Sequence, residues 1–325
     1  MIDTDDARLN QACRWLYQVL DTGFDIRPLA GDASFRRYFR VYAGVNVWVL
    51  MDAPPDKEDC TPFLNVRAWL QSASLRVPDL IAMDAQQGFL LLEDFGDETW
   101  AVYVQKNSGL EPLFTDALKQ LQTLQEALPT LELPLFDVAR MQRECDLYLD
   151  WYLPKVASYI PSTIERQSFH HALLPYLQRL QALPQVAVHL DYHSRNLMLP
   201  KDGLPLGVID FQDAVIGPLT YDLASLLYDC YQDYPEPLRR KWSEHFFSVL
   251  SSESKQCFTS VDDWHHALRL TAFQRHIKAV GIFARLAYRD GKMGFLDEIP
   301  LTRKHLQDEM DVLNLPKGIC ALLQR

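Results

Sequence analysis

The chain reads as an α+β protein of two lobes, a small strand-rich one followed by a larger helical one, and three observations carry that expectation. Its 325 residues, 48% of them hydrophobic, exceed the length at which a single core usually stops growing. Strand-like runs concentrate before residue 95, at 24–28, 34–41, 45–52 and 88–93. After Gly96 the apolar positions recur at helical spacing instead. The boundary therefore falls in the acidic, glycine-ended link Glu93-Asp94-Phe95-Gly96, separating residues 1–95 from residues 96–325.

Taken in order, Leu9, Ala12, Cys13, Leu16, Val19 and Leu20 form the face of an opening helix that Gly23 closes. The turn Leu29-Ala-Gly31-Asp32-Ala-Ser34 joins the first two strands. Its small residues make either an ordinary hairpin turn or a loop whose backbone N–H groups approach a phosphate. A helix starts with Thr61 as N-cap and Pro62 at its first position and buries Phe63, Val66, Trp69 and Leu70. Beyond the link, Leu113, Phe114, Ala117, Leu118, Leu121 and Leu124 make one helical stripe. A helix near Asp137 carries Met141, Cys145, Tyr148 and Tyr152, and another spans 163–183, ending before Pro184. Helices follow at 218–231, 237–250 and 262–290.

Between them lies the stretch on which the function turns, Val188-His-Leu-Asp191-Tyr-His193-Ser-Arg-Asn196-Leu-Met-Leu199, then Leu206-Gly-Val-Ile-Asp210-Phe211. The apolar runs 197–199 and 206–209 flank a Pro-Lys-Asp-Gly break and read as a β-hairpin. Folding it back brings Asn196 beside Asp210, with Asp191 projecting from the preceding loop. An amide and a carboxylate offer hard oxygens suited to Mg²⁺, which binds through few carboxylates together with substrate phosphates. A further carboxylate nearby can orient a hydroxyl and take its proton. Asp191 and Asn196 could each cap a turn on their own; with Asp210 they form a phosphoryl-transfer layout. His193 faces this site by position, or is a plain loop histidine, and His189 and Asp222 are assigned to structure.

His189-Leu-Asp191 … Asn196-Leu-Met-Leu, Ile209-Asp210-Phe211-Gln-Asp and Gly217-Pro218 … Tyr221-Asp222-Leu-Ala resemble, in order and spacing, the aminoglycoside/choline phosphotransferase family. The resemblance covers nearly the whole chain and implies a protein-kinase-like fold, ATP and Mg²⁺ as cofactors, Asp191 as catalytic base, and Asn196 and Asp210 as metal ligands. It also implies that His189 buttresses the loop. Nucleotide-binding positions would be Gly31, Asp32, Ser34 and Arg37 around the first turn and Glu93, Asp94 and Phe95 at the hinge. The chain departs from the pattern at Met51, where the third strand usually carries a lysine paired with a helix glutamate. Arg37, Arg40 and Lys57 are the local cations that could replace it, or the site only binds.

The stretches Met51-Asp-Ala-Pro-Pro and Arg275-His-Ile-Lys278 … Gly281-Ile-Phe-Ala-Arg285-Leu further resemble a bacterial branch of that family. It phosphorylates N-acetylmuramate and N-acetylglucosamine at the anomeric hydroxyl in cell-wall recycling. At 100° per residue, Arg275, Lys278, Arg285, Arg289 and Lys292 share about one third of a helix circumference. That stripe is either a solvated face or an acceptor wall, with Arg275, Lys278, Arg285 and His193 as substrate-binding residues. The implied substrate is then a neutral or anionic small sugar.

A net charge of −11 argues against a nucleic-acid partner. Six scattered cysteines without a Cys-x-x-Cys pair form neither a disulfide framework nor a zinc site. An N-terminus without a basic region, and no apolar run of membrane-spanning length, lead to the expectation of a cytoplasmic protein that does not enter a membrane. Two other functions remain open at this stage: a hydrolase holding metal through His189, Asp191, His193 and Asp210, and a nucleotide-binding module without catalysis.

Overall fold

The computed structural model describes residues 6–29, 35–107 and 109–325. Helix α1 (Ala7–Leu20) opens where the Asp6 carboxylate accepts from Leu9 N and closes on Asp21 in the left-handed region. An antiparallel sheet in the order β1-β2-β3-β5-β4 follows. Its strands are β1 (Asp25–Pro28), β2 (Arg37–Ala43), β3 (Asn46–Asp52), β4 (Leu80–Asp84) and β5 (Phe89–Glu93). Alternation along the pleat decides which side chain goes where. Phe39, Val41, Leu50, Phe89 and Leu91 pack on Ala12, Trp15 and Leu16 of α1. Met51, Leu90 and Leu92 point the other way, towards Phe63, Val66, Trp69 and Leu70 of α2 (Thr61–Ser72).

Two local expectations shift. Thr61 is the first residue of α2 and not its cap; Cys60 occupies the cap position and the Asp59 carboxylate accepts from Thr61 N at 2.8 Å. β4 gives no apolar alternation of the usual sense, because this edge strand exposes Ile81 and Met83.

The helical part comprises α3 (Trp100–Val104), α4 (Glu111–Glu126) and α5 (Val138–Leu147), which runs through a π turn (Tyr148–Tyr152) into α6 (Leu153–Lys155). Then come α7 (Thr163–Gln181), β6 (Gln185–Val188), β7 (Leu197–Met198), β8 (Gly207–Val208), β9 (Val215–Pro218) and α8 (Tyr221–Leu227). The chain continues through α9 (Glu236–Val249), α10 (Ser252–Gln256) and the 30-residue α11 (Val261–Asp290). A 3₁₀ turn (Met293–Glu298), α12 (Ile299–Leu313) and α13 (Lys317–Leu323) follow, beyond the last helix that apolar spacing marked. Helix α11 is the axis of this part, buried on most of its circumference. Gly281 lets it approach the π turn closely: a Cβ there would lie 2.4 Å from backbone atoms of Leu147 and Tyr148.

The lobes share a core. One buried cluster runs from Met51, Trp69 and Leu92 through Trp100 and Phe114 to Trp264. The end of α2 is tied to the helical part by Val208 N donating to Arg76 O at 2.7 Å and Trp69 Nε1 donating to Leu128 O at 3.1 Å.

Candidate active site

Two small antiparallel ladders, β6–β9 and β7–β8, hold the segment 189–196 between them. Its backbone is clamped from below by two fully buried acids. Asp222, in the first turn of α8, accepts from His189 N at 2.6 Å and Leu190 N at 3.0 Å, and Asp229 accepts from Ser194 N at 2.9 Å. Burial pushes the Asp222 carboxyl up to about 6 against the pull of His189 and these N–H groups. The clamp holds Leu190 at φ 76°, a left-handed conformation costly for a branched residue. His189 Nε2 meets Ile209 O at 3.0 Å, and Asp191 N donates to His189 Nδ1 at 3.2 Å. Both ring nitrogens are engaged, which fits the buttress role and removes His189 from any metal-ligating set. Among the described residues no group of three or more His, Cys, Asp and Glu could hold a metal, so the hydrolase layout has no geometry to rest on.

The hairpin brings the Asn196 amide to the Asp210 carboxylate. Asn196 Nδ2 donates to Asp191 O at 3.0 Å and lies 3.4 Å from Asp210 Oδ2. With its NH₂ committed, the amide oxygen is the group able to take a cation. Gln212 Nε2 donates to Asp210 Oδ1 at 2.8 Å, and Asp210 itself sits at φ 64°. An amide oxygen beside a carboxylate fits Mg²⁺.

The Asp191 carboxylate feels the charges of Lys278 and Arg275 on α11. Burial pushes its carboxyl up, but the positive field of Lys278, His193 and Arg275 outweighs this and holds it below the ordinary carboxylate value. The His193 imidazole is itself lowered by burial, against the opposing pull of Asp229 and Asp191. Its ring stands edge-on to Tyr231 at 5.2 Å, and its Nδ1 has no hydrogen-bond partner among the described residues. Lys278 is 3.5 Å from Glu144 and 3.4 Å from the Tyr221 hydroxyl. Arg275, buried over the Tyr221 ring, leaves Nε and Nη1 without a partner among the described residues. Arg285, farther along the helix, is lowered by burial and by Arg289, and its Nε has no hydrogen-bond partner among the described residues. Arg289 pairs with Asp290, and Lys292 lies beyond the helix.

A cleft of about 620 Å³ opens between the sheet and the hairpin, within the range of small-molecule sites. Leu29, Tyr38, Val49 and Leu92 line it from the sheet, Met198 and Ile209 from the hairpin, and Asn196, Asp210 and Gln212 stand at one end. Glu93, Asp94 and Phe95 also line it, as expected, yet their side chains fix the link itself. Glu93 holds Arg76 at 3.3 Å, Asp94 holds Arg40 at 2.7 Å and Gly96 N at 2.9 Å, and Phe95 is buried against Gly207.

The cations divide by strand parity. Arg37 is a correction: it projects on the α1 face, where it pairs with Asp6 and, at 2.6 Å, with fully buried Asp52, and does not line the cleft. Met51 is fully buried on the cleft side among α2 residues, so the usual lysine position is apolar. Lys57 lies over the Phe35 ring. Gly31, Asp32 and Ser34 lie outside the described residues.

Asp229, Glu144 and Tyr231 have no motif that would mark them; each enters the site through packing between distant segments. Among the described residues no helix is long and apolar enough to cross a membrane.

Comparison with known proteins gives the family and the fold. The model of the phosphotransferase enzyme family matches residues 25–254. A protein of Pseudomonas aeruginosa named N-acetylmuramate/N-acetylglucosamine kinase is 37% identical over 324 residues, covering 94% of this chain and 92% of the relative. One of the same name from Neisseria meningitidis serogroup B is 35% identical, covering 90% and 88%. Among solved structures, a choline/ethanolamine kinase family protein from Mesorhizobium loti superposes with a TM-score of 0.64 at 13% identity, covering 98% and 100%. An ADP-bound aminoglycoside phosphotransferase gives 0.60 at 15%, covering 95% and 99%. At such identities these structures speak for the protein-kinase-like fold alone.

Proposed function

The chain belongs to the phosphotransferase enzyme family, and from that premise we propose that it transfers the γ-phosphoryl group of ATP to the anomeric hydroxyl of N-acetylmuramate and N-acetylglucosamine. The observation that carries the reading is the Asn196 amide beside the Asp210 carboxylate on the lining of a cleft that reaches the hinge, with the Asp191 backbone oxygen bonded to that same amide. The curated relatives supply the substrate class, since two that cover nine-tenths of this chain bear that sugar-kinase name.

In this reading the apolar walls at Val49, Leu92, Met198 and Ile209 seat the adenine, and the Asn196 amide oxygen and Asp210 hold Mg²⁺. When bound, the ion neutralises charge on the β- and γ-phosphates. Asp191 orients the sugar hydroxyl and accepts its proton. The hydroxyl oxygen bonds to the γ-phosphorus as the bond from that phosphorus to the β–γ bridging oxygen breaks, and the electron pair stays on ADP. The low carboxyl of Asp191 keeps it ionised at neutral pH. Arg275, with donors unspent, and Lys278 provide a positive field for an acceptor carboxylate. Six free cysteines and the need for ATP fit a cytoplasmic enzyme.

The test is ADP release with ATP, Mg²⁺ and each of N-acetylmuramate, N-acetylglucosamine and kanamycin, with the sugar 1-phosphate identified by mass and by its lability to acid. Efficient kanamycin turnover without sugar turnover would reject the reading.

A further inference from the structure

Phosphoryl transfer spreads negative charge over the moving group, and cations aimed at that charge supply much of the acceleration. The cleft of this protein lacks the strand cation, since Met51 is apolar, and the turn Leu29-Ala-Gly-Asp-Ala-Ser34 contains no Lys or Arg. Among the described residues lining the cleft the cations are Arg40 and Arg195. Arg40 is committed to the acids of the link: Nε lies 2.7 Å from Asp94 as an ion pair, Nη2 donates to Asp94 at 3.1 Å, and Nη1 donates to Asp97 at 2.8 Å. It also stands at the hinge end, away from Asn196 and Asp210.

We propose that Arg195 is a catalytic residue, the cation that binds the transferring phosphoryl group in place of the absent strand lysine. It immediately precedes Asn196, so it stands at the metal-binding end of the cleft. Its guanidinium carbon lies over the Tyr231 ring, 3.6 Å from the centroid, and Nη2 donates to Glu298. The other N–H groups of the fork have no protein bond among the described residues, and the side chain is 41% exposed. Its position is prepared by the fold. The buried Asp229 carboxylate accepts from Ser194 N at 2.9 Å through one oxygen and from Tyr231 N at 2.8 Å through the other. One side chain thus sets the residue before Arg195 and the ring beneath it. Tyr231 is further braced by His193 at 5.2 Å and Phe283 at 5.9 Å. A guanidinium held in this way spends little freedom on meeting the phosphoryl oxygens as charge moves. The bonds made and broken are those of the transfer described above; Arg195 donates hydrogen bonds and exchanges no proton.

The inference rests on the kinase reading, and the experiment separates the two. With wild type, Arg195→Ala, Arg195→Gln and Arg195→Lys, kcat and KM are measured for ATP and N-acetylglucosamine. Binding of Mg²⁺–ADP is compared, by calorimetry, with that of Mg²⁺–ADP–aluminium fluoride, whose fluoride plane imitates the moving phosphoryl group. Arg195→Ala and Arg195→Gln are expected to lower kcat about 10²–10³-fold, the usual effect of losing one such donor, with both KM values nearly unchanged. They should weaken the aluminium fluoride complex at least about tenfold more than ADP. Arg195→Lys should recover part of both losses. An unchanged kcat, a loss confined to sugar KM, or equal weakening of the two nucleotide complexes overturns the assignment. Should one neutral variant fold poorly, judged by its melting temperature, the other gives the same reading. If the wild type turns over no sugar, the sugar reading falls, while the two nucleotide complexes still decide for or against Arg195.

Discussion

At the scale of single residues the site works by opposed fields. Asp191 is buried enough for its carboxyl to rise, yet Lys278, His193 and Arg275 keep it low. Replacing Asp191 by Asn should therefore lower kcat roughly 10²–10⁴-fold, the span of a positioned general base, with little change in ATP affinity; turnover within a few fold of wild type would remove its role. Lys278→Met supplies a signed test. Without the ammonium, burial prevails and Glu144, 3.5 Å from Lys278, is left facing the site, so the Asp191 carboxyl rises. The acidic limb of the kcat/KM profile should move to higher pH, and an unmoved limb would show that Lys278 does not set the base. The motif spacing sets His189 and Asp222 beside the loop, whereas the field that Arg275 and Lys278 exert on Asp191 was not readable from the stripe. Helical spacing gives relative angles, and α11 is buried on so many sides that an angle alone does not say which side faces the site.

Elements meet here through glycines and buried ion pairs. A Cβ on Gly207 would lie 2.3 Å from the Phe95 ring, so β8 approaches the hinge only because it lacks one. Gly207→Ala should push that ring out at a cost of about 1–3 kcal/mol, as overpacking usually does. Its melting temperature should fall and its KM for ATP rise; an unaffected KM would mean that the hinge is not seated by β8. Helices α11 and α12 are joined by His276 and Glu309, both fully buried, 2.6 Å apart. Burial alone would lower His276, but Glu309 outweighs it and raises the imidazole from 6.5 to about 10. The folded value exceeds the unfolded one, so this stabilisation is fully present below about pH 6.5 and is lost as pH rises through about 10. The melting temperature should decline across that window and decline less in His276→Gln. Equal slopes would place the pH dependence elsewhere.

For the whole molecule, the cluster joining Met51 and Trp69 to Phe114 and Trp264 makes the two lobes one cooperative body despite the link at residue 95. Fluorescence and circular dichroism should report a single coincident unfolding transition. Mg²⁺–ATP at about a hundred times its Kd should stabilise the protein by about 2.7 kcal/mol through mass action; separate transitions would restore the two-domain description. Several features followed from the sequence by itself: the strand-then-helix order and the hairpin that sets Asn196 beside Asp210. All of these depend on neighbours close in the chain, where turn chemistry and a two-residue period suffice. The tertiary structure alone decided that Arg37 turns to Asp52 and α1 while Arg40 turns to the cleft, that β4 completes the sheet edge, and that Asp229 couples Arg195 to Tyr231. The reason is physical: a period states which side chains share a face, but only the packing of distant segments determines which face becomes core, which meets solvent and which lines the site.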